Sequence, residues 1–434
     1  MKIAIAGYGV EGQENYTYWA KDPANELTIV DERADGGASY PHGADTILGP
    51  GVFTRLDGFD LVIRTAGLAP HKIKTDGKVW SATNEFFAKC TAPIIGVTGS
   101  KGKGTTSSLI TSILEAAGKR VWLVGNIGVP ALSVLSQVQP DDIVVYELSS
   151  FQLWDLEKSP HTAVVLFIEQ EHLDVHRSMD EYVEAKAQIT RHQTEDDLLV
   201  YYANNQYTER IASTSKARKV AYPSADAAYV HMYDEMFCYG SNALCSIHEL
   251  RIPGEHNQVN ALAAIDAVWQ YTQDAEAIKA GLNNFKGLPH RLAFVAEVNG
   301  VQYYDDSIAT TPGSAIAALR AFENKPKTII LGGSYKGSDF SELAHELTQH
   351  HVRALLIGDE AQRISAACEA AGFRNYEIIE GIPAPQVAET VTRRAAELTQ
   401  PGGVVLLSPA AASFGIFKNY VDRGEQFIAA VKSL

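Results

Sequence analysis

A glycine-rich stretch in the first third of the chain has the residue types and spacing of a phosphate-binding loop. Gly96 to Thr106 reads GVTGSKGKGTT and lies between an apolar strand-like run and a helical pattern. In such a unit, backbone N–H groups and the helix N-terminus hold phosphates, a lysine contacts the terminal phosphates and a hydroxyl binds Mg²⁺. The full motif in this context predicts a nucleotide site rather than a ligand-free turn. Because Gly104 occupies the usual Ser or Thr position, Thr105 or Thr106 must supply the hydroxyl.

Further candidates for metal and phosphate chemistry follow this loop. Glu147 ends the apolar run DIVVYE, and doubly wound sheets bind ligands at the carboxyl ends of their strands. A carboxylate there can hold Mg²⁺ beside phosphates. His172 lies in EHLDVH and Lys186 in EAKAQI, two segments with side chains that could bind metal or stabilise charge. Residues of these types, taken singly, are more often surface or satisfied core residues.

A second glycine motif opens the chain. Gly7, Gly9 and Gly12 form G-x-G-x-x-G directly after the first strand-like run, and Asp31 ends the second run. In dinucleotide folds this spacing places a phosphate at the helix N-terminus and an acidic residue near a ribose hydroxyl. The same glycines could serve only tight strand-to-helix packing. The motif therefore indicates a nucleotide site and leaves the packing interpretation open.

The elements that must position these residues form three tandem segments. Short β-rich runs alternate with helical patterns throughout, which is typical of parallel α/β sheets. The last segment starts with a hairpin that turns at Asn299-Gly300. The sequence thus predicts an α/β fold of three domains, at 1–90, 91–288 and 289–434.

Composition excludes several classes of protein. The chain has 434 residues, 46% hydrophobic and 21% charged, as expected for folded domains and not for disorder or coiled coil. The net charge of −15 argues against nonspecific binding to nucleic acid or anionic membranes. No apolar run approaches the roughly 18 residues of a membrane span, and no secretion signal is recognisable, so a cytoplasmic location is expected. The four cysteines are too widely spaced for a metal site or disulfide framework.

In order and number, the motifs resemble those of the Mur ligase family, ATP-dependent amide-forming enzymes of peptidoglycan precursor synthesis. The matching segments are GVTGSKGKGTT, YELSSFQL, EHLDVH, EAKAQI, GEHNQVNALAA, GLPHRL, DDSIATTP, LGGSYKGSDF and LLSPAAASFGIFKNYVDRG. Within the family, ELSSFQL, GLPHR and the C-terminal segment are most similar to members that add glutamate to UDP-N-acetylmuramoyl-L-alanine. The resemblance implies a Rossmann-like UDP-binding domain, a P-loop ATPase-like central domain and a Rossmann-like glutamate-binding domain. It also implies a monomer that uses ATP and Mg²⁺, while the net charge of −15 predicts no nucleic-acid or membrane partner.

The resemblance assigns roles around ATP. It implies that Lys103 contacts the β and γ phosphates, that Thr105 and Glu147 hold a first Mg²⁺, and that His172 and Lys186 form a second metal site. In the family this lysine is carbamylated, and a carbamate, unlike an ammonium, can ligate Mg²⁺. The other implied ATP-binding positions are Gly99, Gly102, Gly104, Thr106, Asn257, Asn260, Arg291 and Asp306.

Substrate positions follow from the same resemblance. The N-terminal glycine motif would hold a UDP diphosphate rather than a dinucleotide. The implied UDP positions are Gly9, Val10, Asp31, Arg33, Thr65 and Gly67. Those implied for the muramoyl-alanine part are Asn126, Ser149 and Gln152. Those implied for glutamate are Thr310, Lys336, Ser413 and Tyr420.

Four positions depart from the family pattern. Ile308 replaces the lysine usual in D-glutamate-adding members, Ser334 a common aspartate, and Phe167 and Glu171 the usual Asn and Asp. A branch with DDSI-type sequences adds L-glutamate. D-glutamate is favoured, with L-glutamate or another Mur or folylpolyglutamate-type ligase as alternatives. Two alternatives from other classes fit the sequence less well. A nicotinamide oxidoreductase would leave the loop at 96–106 unexplained. A non-catalytic nucleotide-binding regulator would not need the two metal sites that the resemblance implies.

Overall fold

The computed structural model describes residues 1–33, 40–173, 175–335 and 337–434. The strands in these ranges are β1 Lys2–Ala6, β2 Glu26–Asp31, β3 Asp45–Leu48, β4 Leu61–Arg64, β5 Lys78–Ser81, β6 Ile94–Thr98, β7 Val121–Gly125, β8 Ile143–Glu147, β9 Thr162–Val165, β10 Leu198–Tyr202, β11 Arg218–Tyr222, β12 Val230–Tyr233, β13 Met236–Tyr239, β14 Asn242–Ser246, β15 Ala293–Val298, β16 Val301–Asp305, β17 Lys327–Gly332, β18 Val352–Ile357, β19 Tyr376–Ile379 and β20 Val404–Leu407. The α-helices are α1 Val10–Trp19, α2 Ala82–Lys89, α3 Lys103–Ala116, α4 Ala131–Val134, α5 Ser150–Leu153, α6 Met179–Arg191, α7 Gln206–Thr214, α8 Glu255–Val268, α9 Ala275–Asn284, α10 Pro312–Ala321, α11 Ser341–Gln349, α12 Ala361–Ala371, α13 Ala384–Leu398 and α14 Tyr420–Lys432.

The first sheet is parallel, with strand order β3-β2-β1-β4-β5. Side chains of β1 alternate between two apolar clusters, with Ile3 and Ile5 in one and Ala4 and Ala6 in the other. From β1, strands β2 and β3 are added on one side and β4 and β5 on the other, so the strand order switches between β1 and β4. In parallel sheets such a switch point opens a crevice at the carboxyl ends of the two strands. This is the Rossmann-like arrangement that the N-terminal glycine motif predicts.

The second sheet, also parallel, has the order β11-β10-β9-β6-β8-β7. Every residue of its central strand β6 is buried, as expected for a parallel strand covered by helices on both faces. The glycine-rich loop joins β6 to α3. Phe86 and Phe87 of α2 pack in the core of this sheet, although the predicted boundary groups them with the first sheet.

Strands β12 to β14 form a small antiparallel sheet, where the sequence shows irregular β-like alternation. Asp266 of α8 ties this sheet to the rest: its Oδ1 accepts the Val230 N–H at 3.1 Å. Its Oδ2 is buried and has no hydrogen-bond partner in the part of the chain that the structure describes. Burial raises the pKa of this carboxyl from 3.8 to about 7. Asp266 is therefore a buried acid whose charged form is disfavoured by folding.

Replacing Asp266 by asparagine should make stability less sensitive to pH. Between pH 4 and 7 the folded protein holds a proton on Asp266 that the unfolded chain releases, so wild-type stability falls as the pH rises. A shift of about three pKa units corresponds to at most about 4 kcal/mol, so we expect the stability difference to change by about 2–4 kcal/mol in favour of D266N as the pH rises from 4.5 to 8. Denaturant unfolding of both proteins across this range measures it.

Asp274→Asn is the matched control, because Asp274 lies near Asp266 in the chain and is exposed. Its pH profile should follow that of the wild type. A D266N profile parallel to the wild-type profile would show that Asp266 does not titrate in this range.

The third sheet has the order β15-β16-β20-β17-β18-β19. All its pairs are parallel except β15 with β16. Asn299 and Gly300 connect these two strands with φ of 52° and 77°, the conformation that an Asn-Gly hairpin turn requires. The predicted hairpin is present.

The chain divides into two compact units. One comprises Met1–Glu249 and Val259–Leu282, and the other comprises Leu250–Gln258 and Asn283–Leu434. The first unit holds the first two sheets and the small antiparallel sheet, and the second holds the third sheet. The domain boundaries predicted at 90 and 288 stay a prediction. No helix in the described ranges has the length and apolar character needed to cross a membrane.

Candidate functional site

The glycine-rich loop packs closely against the side chain of Asn260 on α8. Gly102, with φ of 84°, caps the N-terminus of α3, and a Cβ there would lie 2.4 Å from Asn260 Oδ1. Only glycine fits this position without moving Asn260. The predicted ATP residues Gly102 and Asn260 are thus in direct proximity, and Gly104, Thr105 and Thr106 form the first turn of α3. That turn presents backbone N–H groups in the manner of an anion site.

Lys103, the first residue of α3, folds back over the loop. Its Nζ donates to Gly99 O at 2.9 Å and to Ser100 O at 3.0 Å. Both acceptors are carbonyls of the loop itself. The ammonium therefore lies beside the backbone that would hold phosphates, where it can meet their negative charge.

Oxygen atoms that could serve as ligands of a divalent cation lie next to this loop. Glu147, at the end of β8, is buried; its Oε1 accepts from Asn126 Nδ2 at 3.1 Å. Among the described residues, its Oε2 finds no hydrogen-bond partner, and neither do the buried hydroxyls of Thr106 and Ser107. A buried carboxylate oxygen without a partner is costly unless a cation or water satisfies it. These donors fit the oxygen preference of Mg²⁺, with Thr106 as well as Thr105 available as the hydroxyl.

Lys186 comes to the loop from α6. Its side chain is almost fully buried, and its Nζ donates to Gly99 O at 2.9 Å and to Thr98 Oγ1 at 3.4 Å. Burial, together with the nearby Lys103, holds the pKa of this amine well below 10.5. The structure therefore places a lysine with reduced basicity on the phosphate loop.

His172 has a left-handed backbone with φ of 57°. Its ring centroid is 5.0 Å from that of Phe151, and its Nε2 is 3.9 Å from Glu171 Oε2. In the described ranges no group of three or more His, Cys, Asp or Glu side chains could by itself hold a metal ion. A second metal at His172 would therefore need further ligands, such as a carbamylated Lys186, substrate oxygens or water.

The N-terminal crevice contains the predicted UDP residues. Gly9 precedes α1, Val10 is exposed at its start, and Gly67 is exposed in the loop after β4. Thr65 Oγ1 in that loop donates to Ala6 O at 3.3 Å.

Both carboxylate oxygens of Asp31 accept hydrogen bonds from the protein itself. It accepts from the Tyr8 N–H at 2.8 Å and from the backbone N–H and Nε of Arg33 at 2.9 Å. Hydrogen bonds from Arg33 lower the pKa of Asp31 to about 2. The half-exposed Arg33 side chain is thus fixed beside the crevice.

The predicted muramoyl-alanine residues lie after β7 and β8. Ser149 and Gln152 form a reciprocal cap of α5: Gln152 N donates to Ser149 Oγ at 3.3 Å, and Ser149 N donates to Gln152 Oε1 at 2.9 Å. Asn126 is bonded to Glu147, as described above. The three residues therefore come from two segments, and Glu147, which is bonded to Asn126, lies just before the segment of Ser149 and Gln152.

In the second unit, Asp306 is buried behind the β16 strand end. Its Oδ1 accepts the Leu292 N–H at 3.0 Å and its Oδ2 the Ser408 hydroxyl at 2.7 Å. Burial raises its pKa to about 7. Both oxygens are thus committed to the protein, which makes Asp306 a support for its loop as well as a predicted ATP residue.

The other predicted residues of this unit are spread over several loops. Arg291 is exposed, whereas Ser413 is buried and Thr310 is half-buried. Asn257 donates to Pro253 O at 2.6 Å, and Tyr420 O accepts the Ser307 hydroxyl at 2.7 Å. Lys336 lies outside the described residues.

Two buried arginines near these sites receive no role in the sequence analysis, although Arg423 lies in the matching C-terminal segment. Arg64 ends β4, and Arg423, on α14, donates to Ser307 Oγ, Ser307 O and Ala411 O. An arginine that ends an apolar run such as LVIR is a signal in the sequence, because a buried guanidinium needs partners. The partners themselves are distant in sequence.

Comparison with known proteins gives a consistent match. The family model for the Mur ligase middle domain matches residues 97–268, and that for the Mur ligase glutamate ligase domain matches 290–411. The UDP-N-acetylmuramoylalanine–D-glutamate ligase of Clostridium kluyveri is 36% identical over 446 residues, covering 100% of this chain and 97% of the relative. The ligase of the same name from Acetivibrio thermocellus is 37% identical, covering 100% and 96%. The solved MurF ligase of Thermotoga maritima, in complex with ADP, shares the fold with a TM-score of 0.62 at 17% identity, covering 99% of this chain and 94% of that one.

Proposed function

Because the chain belongs to the Mur ligase family, we propose that it is an ATP-dependent ligase that joins glutamate to UDP-N-acetylmuramoyl-L-alanine in peptidoglycan precursor synthesis. D-glutamate is the favoured amino acid, as the names of the relatives indicate. The observation that carries the proposal is the loop of residues 99–106, with Lys103 and Lys186 both bonded to Gly99 O. We also propose that the enzyme acts as a monomer in the cytoplasm, without nucleic-acid or membrane partners.

The reaction has two balanced steps. First, an oxygen of the substrate's alanine carboxylate bonds to the γ-phosphorus of ATP, and the bond from that phosphorus to the bridging oxygen breaks, releasing ADP. Then the glutamate amine bonds to the carbonyl carbon of the acyl phosphate, loses a proton, and inorganic phosphate leaves. Such transfers depend on positioning and charge stabilisation more than on a protein nucleophile.

The loop and its lysine supply that stabilisation. Backbone N–H groups at the start of α3 bind the phosphates, and the Lys103 ammonium moves from the loop carbonyls to the phosphate oxygens. Glu147 and the hydroxyl of Thr105 or Thr106 would hold a first Mg²⁺, which when bound neutralises phosphate charge. His172 and a carbamylated Lys186 would hold a second.

The remaining residues bind and orient substrates. The crevice at Gly9, Thr65 and Gly67 takes the UDP diphosphate, and Arg33 lies at the uracil end. Asn126, Ser149 and Gln152 contact the muramoyl-alanine part. The implied dicarboxylate site consists of Thr310, Lys336, Ser413 and the main chain near Tyr420.

Phosphate release from ATP in the presence of UDP-N-acetylmuramoyl-L-alanine tests the proposal directly. We expect release that depends on D-glutamate, at least about tenfold faster than with L-glutamate and near background with no amino acid, a difference of about 1.4 kcal/mol or more in barrier. Mass spectrometry of the product confirms that one glutamate has been added.

The alternative outcomes are informative. L-glutamate-dependent release would assign this chain to the L-glutamate-adding branch, which Ile308 favours. Release with neither enantiomer would contradict the proposed acceptor and direct the search to other amino acids within the family.

A further inference from the structure

Arg64 is a fully buried arginine at a junction of two sheets. It is the last residue of β4 in the first sheet, and its side chain reaches the segment that follows β8 in the second sheet. Its Nε donates to Asp155 Oδ2 at 2.7 Å, its Nη2 pairs with Asp155 Oδ1, and Nη2 also donates to Phe151 O at 3.1 Å. This is a two-point guanidinium–carboxylate contact with an added carbonyl, a geometry that lysine cannot reproduce.

The third nitrogen of the guanidinium, Nη1, forms hydrogen bonds with the loop that follows β4. Nη1 donates to the carbonyls of Thr65 at 3.4 Å, and of Ala66 and Leu68 at 3.5 Å. From the other side, Glu11 of α1 accepts the Ala66 N–H at 2.8 Å. The loop is therefore held through its carbonyls by Arg64 and through an N–H group by Glu11.

The two segments that Arg64 joins carry two different parts of one proposed binding site. The loop at 65–68 includes Thr65 and Gly67, at the diphosphate end of the UDP-sugar. The segment from 149 to 155 includes Ser149 and Gln152, at its muramoyl-alanine end. A substrate that spans both segments is placed correctly only if their spacing is fixed.

We propose that Arg64 is a positioning residue: its contacts with Asp155, Phe151 O and the 65–68 loop set the distance between the nucleotide end and the muramoyl-alanine end of the substrate site. This rests on the proposed function, because the two ends are those of the UDP-sugar substrate. Arg64 acts through the two segments and does not touch reacting atoms. Its replacement should therefore affect ligands that span both ends far more than ligands that occupy one.

A second ion pair between the same two regions serves as a control. Lys78 of β5 pairs with Glu157 at 3.0 Å, but both side chains are about half exposed. Exposed pairs of this kind contribute little. Glu157→Gln should leave binding and turnover unchanged, because it removes an inter-segment contact that does not involve the 65–68 loop.

The experiment compares Arg64→Lys, Asp155→Asn, their double variant, Glu157→Gln and the wild type. Titration calorimetry measures affinity for UDP and for UDP-N-acetylmuramoyl-L-alanine, and steady-state assays, normalised to folded protein, measure kcat and KM. For R64K we expect UDP affinity within about threefold of wild type, and kcat/KM for the UDP-sugar lower by about 100-fold, with kcat lower and KM higher. D155N should act in the same direction, and the double variant should lose little more than R64K, because both remove one link.

Three results would overturn the proposal. One is wild-type kcat and KM in R64K. Another is a loss of UDP affinity equal to the loss for the UDP-sugar, which would make Arg64 part of the nucleotide contact alone. The third is a loss that disappears on normalisation to folded protein, which would make its role purely one of stability.

Failure of the proposed function gives a different pattern. If the wild type binds the UDP-sugar but adds no glutamate, the ligase activity is wrong, while the ratio of UDP-sugar to UDP affinity in R64K still decides the role of Arg64. If the wild type binds neither ligand, both proposals fall.

Discussion

Replacing Lys103 by alanine is expected to lower kcat/KM for ATP-dependent ligation by about 10³-fold or more, while the protein stays folded. The reason is electrostatic: Lys103 Nζ lies against Gly99 O and Ser100 O, beside the N-terminus of α3, where phosphate charge must be stabilised as it shifts to the leaving group. A 10³-fold loss corresponds to about 4 kcal/mol of transition-state stabilisation. Phosphate-release kinetics measure the loss, and circular dichroism verifies the fold.

Lys101→Ala is the matched control. Lys101 is in the same loop, but its side chain is about half exposed and its Nζ pairs with Glu171 at 3.2 Å and with Glu169 at 3.8 Å. We expect kcat/KM within about threefold of wild type, since exposed pairs contribute little. Near-normal turnover in Lys103→Ala, or equal losses in the two variants, would contradict the proposal that Lys103 contacts the phosphates of ATP.

Features that depend on local sequence could be predicted from it. Buried parallel strands such as β6 appear as short apolar runs, and the Asn299-Gly300 turn specifies its hairpin through backbone conformations that few residues adopt. The phosphate loop is equally local, because strand, glycines, lysine and helix are consecutive. Such elements carry their own stereochemical requirements.

Contacts between distant segments could not be predicted in the same way. Arg64 and Asp155 are 91 residues apart, and nothing in the local pattern of either specifies the other. The packing of α2 against the second sheet is of the same kind, since apolar residues do not encode which core they join. Asp266 has a raised pKa only because folding buries it beside the β12 strand.

The candidate site contains residues of both kinds, some predictable from local sequence and some not. Glu147 could be singled out from its place at a strand end, whereas Lys186 could be assigned only through the family resemblance. Lys186 and Gly99 are 87 residues apart, and only the folded chain shows that they form a hydrogen bond. Tertiary structure thus turns an unremarkable helical lysine into a neighbour of the phosphate loop.

Lys186→Ala is expected to lose most activity, by about 10²-fold or more, and to regain part of it with short-chain carboxylic acids such as acetate. Burial and Lys103 hold the pKa of the Lys186 amine well below 10.5, so the neutral amine is more abundant at neutral pH than for an exposed lysine. The nitrogen of a neutral amine can bond to the carbon of carbon dioxide and release a proton to solvent, which gives a carbamate whose oxygens would then lie beside the loop. Alanine leaves space where a small carboxylate can restore such oxygens, and kcat as a function of acetate concentration measures the recovery.

The specificity of this rescue is what separates a carbamate from a bare ammonium at Lys186. The same acids should leave wild-type and Lys103→Ala rates unchanged, because a carboxylate cannot replace the Lys103 charge and the wild-type site is filled. If Lys186 acted as an ammonium, its loss would remove a positive charge, and small amines rather than acids would restore activity. Rescue by methylamine without rescue by acetate would therefore contradict carbamylation and leave Lys186 as a cation on the phosphate loop.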